Sequence, residues 1–387
     1  MSSNLGSTNR SLAQTLAVQT QLHMPGTVGR LLQQIRDLEQ LAPLFVSAGL
    51  VKPIERPNPL NIKVAGIATR SATEKALGGF LYASAAVNIE LTIRDNAVAT
   101  SGQNSTTELD DIDFVNQSKR LALIQIKQAY QLAEQRLLNG EPIDLILLDC
   151  PLFLGRDMAP LTDAPEHSEY RKTYDETLAV IDKFWLDHKE NLYPWNKQGP
   201  ILAGIASEKF GAILFIAKQD LRTEKGLTHL LASEDIDQQA AGNILSHLQG
   251  LSSIGEQRFI EGILSSFTRT AAFRIGEYQD RMEPKLAAKS GLVGFHFKGG
   301  NNTGIRLVQL AGDEPDWDAD ALDILCGQLM CLMAVGGKRA YPLPIQLAQH
   351  ELKQLDQFVK FYKSNIQSAL KSREVEDVWL SDLDGEL

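Results

Sequence analysis

Cysteine is scarce in this chain, with three in 387 residues: Cys150, Cys326 and Cys331. Their spacing matches no metal-ligand pattern, and each lies in or beside an apolar run, so they read as reduced core residues rather than a zinc site or disulfide framework. No apolar run reaches the roughly 18 residues of a membrane-spanning helix. The opening MSSNLGSTNRSLAQTLAVQ also lacks the basic start and apolar stretch of a secretory signal. A cytoplasmic protein with no membrane span is expected. There is no excess of basic charge either: the formal net charge is -10, which excludes a uniformly basic coat but leaves room for a concave basic surface. A Walker-type phosphate loop, a nucleophile elbow and a zinc-spaced Cys/His set are all missing, which disfavours nucleotide hydrolysis, serine hydrolysis and zinc chemistry. No internal repeat is present.

What is present is an α/β pattern. Val28, Leu31, Leu32, Ile35, Leu38 and Ala42 recur at helical spacing, and KPIERPNPLN then breaks the helix as a linker. NIKVAGIATRS reads as a buried strand and GGFLYASAAVNIELTI as its antiparallel partner. The Ser- and Thr-rich residues near 100–107 read as a loop. A helix follows from about Asp113 to Asn139, and PIDLILLDC is a continuous apolar run, as expected of a strand buried on both faces. A helix over about 167–190 precedes two more strands, PILAGIA and GAILFIAK, and a mostly helical region to about 266. SGLVGFHFKGG and TGIRLVQLAG form a hairpin, and helices over 318–335 and 344–371 complete the chain. The expected division is an N-terminal helix and linker over 1–60, one elaborated α/β domain over 61–371, and an acidic tail over 372–387 carrying Trp379.

Asp149 is the sharpest chemical feature. A carboxylate closing a buried strand emerges at the carboxyl edge of the sheet, where α/β folds place ligands; it can cap a turn there or hold a metal. A phosphodiester-cleaving Mg²⁺ or Mn²⁺ site takes two or more converging oxygen ligands, so one carboxylate is not enough. In RAYPLPIQLAQHELKQLDQF, Tyr341 and Pro342 precede a helix that contains His350, readable as a core or surface residue or as a contact to a ligand. On the hairpin, His296 and Lys298 share one strand face and Phe295 and Phe297 the other, so the polar pair lines a groove or faces solvent.

IDLILLDC and AYPLPIQLAQH, in this order, resemble the NurA nucleases, RNase H-like dimeric enzymes that work beside the hexameric HerA translocase on DNA ends. The resemblance runs loosely from about 61 to 365. It implies an RNase H-like mixed sheet flanked by helices and elaborated with extra helices, a Mn²⁺ or Mg²⁺ cofactor where the protein is active, a homodimer, DNA, and a HerA-like hexameric ATPase as partner. Residue by residue, it implies Asp149 as a metal ligand, Tyr341 as a site residue, His350 as a ligand or phosphate contact, and a family lysine at or near Lys209. The departures are specific. AGIATRSA has Ala68 and Thr69 where the family has Asp and Gly, and RLALIQIKQAY has Gln125 where the family places a glutamate after the position of Arg120.

Three readings follow. The first is a NurA-like protein of DNA repair or antiviral defence with little or no nuclease activity, its central channel made basic by Arg70, Lys119, Arg120, Lys127, Lys209 and Lys298. The second is an active metal-dependent nuclease whose missing carboxylates are supplied by Glu90, Asp95 or Glu208. The third is an assembly protein that docks through its helices and its acidic tail.

Overall fold

The computed structural model describes residues 11–57, 59–76, 78–155, 158–160, 165–206, 230, 234–245, 254–275, 291–300, 303–312, 316–333 and 341–373. A long helix α1 (Leu12–Ser47) leads into β1 (Val51–Pro53), β2 (Ile62–Ala76), β3 (Gly79–Arg94), β4 (Ala97–Asp113), α2 (Gln117–Leu138), β5 (Leu145–Leu148), α3 (Ser168–His188) and β6 (Ile201–Ala206). Then come α4 (Gln238–Leu245), α5 (Glu256–Ile263), β7 (Thr268–Thr270), β8 (Phe273–Arg274), β9 (Leu292–Lys298), β10 (Arg306–Ala311), α6 (Ala319–Met333), α7 (Leu343–Glu351) and α8 (Leu355–Lys371). The strands form one mixed sheet in the order β1-β7-β9-β10-β6-β5-β2-β3-β4, with β8 paired to β9.

The expected pairing of β2 with β3 is present, in antiparallel register from Ile62↔Ile93 to Ala76↔Gly79. The hairpin of β9 and β10 is present too. LILL pairs in parallel with β2 on one side and β6 on the other, so its backbone is saturated and all four side chains are buried. Because side chains alternate across a strand, each face of the sheet has its own core. Ala65, Ile67, Ile146 and Leu148 join α2 and α3 on one face, while Val64, Ala68, Leu145 and Leu147 join α6, α7 and α8 on the other.

Three expectations are corrected. Residues 100–107 are not a loop but the middle of β4, a 17-residue strand at the sheet edge. Asp95 and Asn96 turn the chain with φ of 50° and 65°, which Asp and Asn tolerate, and the fully paired β3 then templates its polar neighbour. An edge strand with one wet side carries little apolar alternation, so periodicity misses it. Part of the expected linker is sheet, because Val51–Pro53 pairs with β7. His296 neither faces solvent nor lines an open groove: it is buried, tilted on Phe273 with ring centroids 5.5 Å apart, and burial alone pushes its pKa down to about 3. GAILFIAK lies outside the described residues.

One close approach positions the site. A Cβ added to Gly66 would come within 2.6 Å of Pro344 and Ile345, so the bare backbone of β2 is what lets the first turn of α7 lie on the sheet.

Candidate functional site

Asp149 follows β5 directly, and its amide donates to the carbonyl of Ile67 at 2.8 Å, continuing the ladder by one residue. Its side chain leaves on the Leu147 face, beneath α7. Gln349 of α7 donates from Nε2 to Asp149 Oδ2 at 2.6 Å, and the Tyr341 hydroxyl hydrogen-bonds the same carboxyl group. Arg306, the first residue of β10, reaches this edge from two strands away and lays its guanidinium 4.0 Å above the centre of the Tyr341 ring. Arg306 is nine-tenths buried and its Nε has no hydrogen-bond partner. The residue Asp149 is partly exposed, but its carboxyl group is more enclosed than the residue as a whole. Desolvation therefore dominates and lifts its pKa to about 6, against the opposing pull of Gln349, Arg306 and Tyr341.

Ala68 sits beside Asp149. The parallel register runs Ile67↔Leu148, which puts the next residue of each strand, Ala68 and Asp149, on adjacent strands and the same face. Ala68 is fully buried and belongs to the apolar core of this face. Gln125 is on the other face, donating to Ser71 Oγ at 2.9 Å in a neutral network that continues through Ser84 to Gln128.

The substitute acids do not converge on Asp149. Glu90 pairs across from Ala65 on the α2 face and is held by Arg136 at 2.9 Å. Asp95 sits in the β3–β4 turn, its amide donating to Asn61. Asn61 precedes Ala68 by seven residues of extended chain, roughly 23 Å. Glu208 and Lys209 lie outside the described residues. Among the described residues no group of three His, Cys, Asp or Glu side chains could hold a metal ion. The donors present at this edge are one carboxylate already accepting from an amide and a hydroxyl, with a guanidinium nearby. That set does not fit a divalent cation, which needs several free oxygens and no neighbouring positive charge.

His350 is exposed on α7, and its neighbour Gln349 is the one that reaches Asp149. Of the basic residues expected at DNA, Arg70, Arg120, Lys127 and Lys298 are each engaged by acid, and Lys209 lies outside the described residues. Arg70 holds Asp356 at 2.7 Å, Arg120 holds Asp113 at 3.0 Å, and Lys298 holds Glu261 at 3.0 Å. Lys127 lies 3.3 Å from Glu108 and 3.7 Å from Glu176. Arg120 and Lys127 share a pocket walled by Glu108, Asp110, Asp111, Asp113, Glu169 and Glu176, which is acidic on balance.

Reading the sequence missed Gln349 and Arg306. Arg306 carries a signal, being the one charged residue within the apolar run GIRLVQLAG. Gln349 carries none apart from its place beside His350. Gln349→Leu is expected to remove the donor to Oδ2, raise the Asp149 pKa further and destabilise the protein by about 2 kcal/mol at neutral pH. A carboxyl-carbon NMR titration and a urea melt check both parts.

The architecture, a mixed sheet with a carboxylate at the carboxyl edge of its central strand and helices on both faces, is an RNase H-like α/β fold. Solved structures narrow the likeness to the NurA nucleases. The structure of the NurA nuclease from Sulfolobus solfataricus matches with a TM-score of 0.57 at 11% identity, over 93% of this chain and 98% of that one. A second NurA structure matches with a TM-score of 0.50 at 11% identity, over 87% and 94%. The fold is NurA-like. By sequence, neither a protein-family model nor a curated protein matches the chain. Among the described residues no helix is long and apolar enough to cross a membrane.

Proposed function

We propose that this chain is a NurA-like DNA-processing or defence protein that works as a homodimer with a HerA-like hexameric ATPase, and that it has lost most or all of its own nuclease activity. The observation that carries the reading is the company of Asp149. The adjacent strand position is a buried alanine, Ala68, and the carboxyl group accepts hydrogen bonds from Gln349 and Tyr341. Hydrolysis of a phosphodiester by a bound Mn²⁺ or Mg²⁺ needs that metal held at the attacking and leaving oxygens, and a lone carboxylate next to Arg306 gives it too few ligands. A large sheet and its helices persist around a site with this chemistry removed, which favours retention as a partner or DNA-guiding subunit. Because Arg70, Arg120, Lys127 and Lys298 are all paired with acids, DNA would be held weakly by this chain alone, and the ATPase would supply most of the grip.

The test is cleavage of end-labelled single- and double-stranded DNA with Mn²⁺ or Mg²⁺, with and without the ATPase, beside Asp149→Ala. The expected result is a stable complex with the ATPase and no cleavage above the Asp149→Ala background. Metal-dependent cleavage that disappears in Asp149→Ala would overturn the inactive reading and point to ligands beyond the described residues, Glu208 first.

A further inference from the structure

Strand β4 ends the sheet with one edge open. Among the described residues no strand pairs with the side of β4 that faces away from β3. At 17 residues it is about three times the usual strand length. Proteins blunt such edges with lysine, proline, bulges or a covering helix, because a row of unpaired amides and carbonyls recruits further strands. β4 has neither lysine nor proline, and from Ala97 to Thr107 it carries no charge. Its register shifts opposite Glu90 and Leu91, but from Gly102 to Asp113 the pairing runs without interruption. Gln103, Ser105, Thr107 and Leu109 are exposed along that stretch. From Gly102 to Leu109 alone the edge is an uncovered template roughly 26 Å long.

The two faces beside this edge differ in chemistry. On the α8 side, Leu355 and Phe358 face Ala83 and Ala85 of β3 across a groove of about 280 Å³ that opens toward Thr107 and Leu109. Phe358 is 44% exposed and Leu109 40%, and Phe361 extends the apolar strip with its ring 6.4 Å from that of Phe358. On the α2 side the neighbours are acids. Glu108 and Asp110 of β4 wall the acidic pocket described above, where six acids stand against Arg120, Lys127 and Lys172. Each residue of a strand added beyond β4 points to one face or the other in turn. Such a strand therefore meets an apolar groove in one frame and acid in the other.

We propose that β4 is a docking edge for an extended segment of another protein in which apolar residues alternate with lysine or arginine. Backbone pairing along Gly102–Leu109 holds the segment, its apolar residues cover Leu109 and Phe358, and its basic residues meet Glu108 and Asp110. Charge selects that occupant. A second copy of the chain offers no basic residue on its β4, and the chain's own last residues, 374–387, hold six acids and no Lys or Arg. Nucleic acid or an anionic lipid surface would bring phosphate to the same acids. A strand apolar on both faces would desolvate Asp110 without a counter-charge. The edge lies three strands from β5 in the sheet, so the docking stands apart from Asp149 and rests on neither the loss of nuclease activity nor the ATPase.

The experiment is fluorescence anisotropy of labelled ten-residue peptides titrated with the full chain: valine and lysine in strict alternation, the same residues in a non-alternating order, and valine alternating with glutamate. Two further copies of the Val/Lys peptide are N-methylated, one at every valine and one at every lysine. Along a strand the amides of alternate residues point to opposite edges, so one methylated peptide should bind as its parent does and the other at least tenfold more weakly. The scrambled and Val/Glu peptides are expected to bind at least tenfold more weakly than the Val/Lys peptide, which should slow hydrogen exchange over 98–109. Phe358→Ser and Asp110→Lys, both at exposed side chains, should each weaken binding at least tenfold with the melting temperature unchanged. No binding by any peptide overturns the proposal. Equal binding of the alternating and scrambled peptides overturns it by leaving charge attraction alone, and so does an equal effect of the two methylations or protection confined to another surface. Displacement of the peptide by a single-stranded oligonucleotide would overturn the choice of occupant. Should either variant fail to fold, the methylated pair on the parent chain still decides.

Discussion

Ala68→Asp is expected to destabilise the metal-free protein by roughly 3 kcal/mol at pH 8 and to create affinity for Mn²⁺ that the parent lacks. Ala68 is fully buried in the core that α7 and α8 cover, and on the adjacent strand Asp149 is already partly desolvated. A second carboxylate there is desolvated with only Arg306, already facing Asp149, as counter-charge, and the two anions raise each other's pKa. Adjacent strands lie about 4.8 Å apart, so the two groups stand within reach of one ion. With Mn²⁺ at about 100 times its Kd, linkage returns about 2.7 kcal/mol. Urea melts in EDTA and in Mn²⁺ measure both halves of the expectation. Gln125→Glu is the contrast: its carboxylate enters the Ser71–Ser84–Gln128 network on the other face of the sheet, so it should add no Mn²⁺ dependence. If Ala68→Asp melts identically with and without Mn²⁺, the carboxyl edge of β5 is not a vestigial metal site.

Asp149→Asn is the second large effect, with the opposite sign: it should stabilise the protein at pH 8 by about 3 kcal/mol and change little at pH 4. Burial has raised the folded pKa of Asp149 from 3.8 to about 6. Between those two values the folded chain binds the proton more tightly than the unfolded chain does, so stability contributed by this group rises as pH falls through 6. It is fully present below about 4. Above 6 the folded protein holds an ionised carboxylate at a net cost near 1.36 kcal/mol per pKa unit, and a neutral amide of the same shape removes that cost. His296 works against this trend, because its depressed pKa makes the folded state lose stability as pH drops below about 6.5. The difference between variant and parent at each pH isolates Asp149 from it. A variant less stable than its parent at pH 8 would show that the ionised carboxylate is required by the fold, through Gln349 and Tyr341, rather than carried as a remnant of chemistry.

These two residues also show where reading the chain succeeds and where it stops. Asp149 is legible because a buried parallel strand announces itself as a run of apolar residues, and the polar residue that ends such a run must emerge at the edge of the sheet. Ala68 is legible only by resemblance, since nothing about an alanine in an apolar strand marks what it lacks. The α/β order, the β2–β3 and β9–β10 pairings and the helices over 117–138 and 168–188 follow from local periodicity, because burying one face of an element fixes which residues must be apolar. By contrast, β4 owes its strand to a neighbour. Its Ser, Thr, Gln and Asn residues face water on one side, and the fully paired β3 supplies the hydrogen bonds that fix its conformation.

The sequence by itself determined the α/β order, the central strand and Asp149 at its end. Only the tertiary structure decided which side chains meet there. Gln349, Tyr341 and Arg306 come from 157 to 200 positions away in sequence, so no spacing rule links them to Asp149. Equally, Arg70, Arg120, Lys127 and Lys298 acquire their acidic partners through contacts between elements, which only packing reveals. Periodicity reports what one element does with its own two faces; a site is made where the edges of several elements converge.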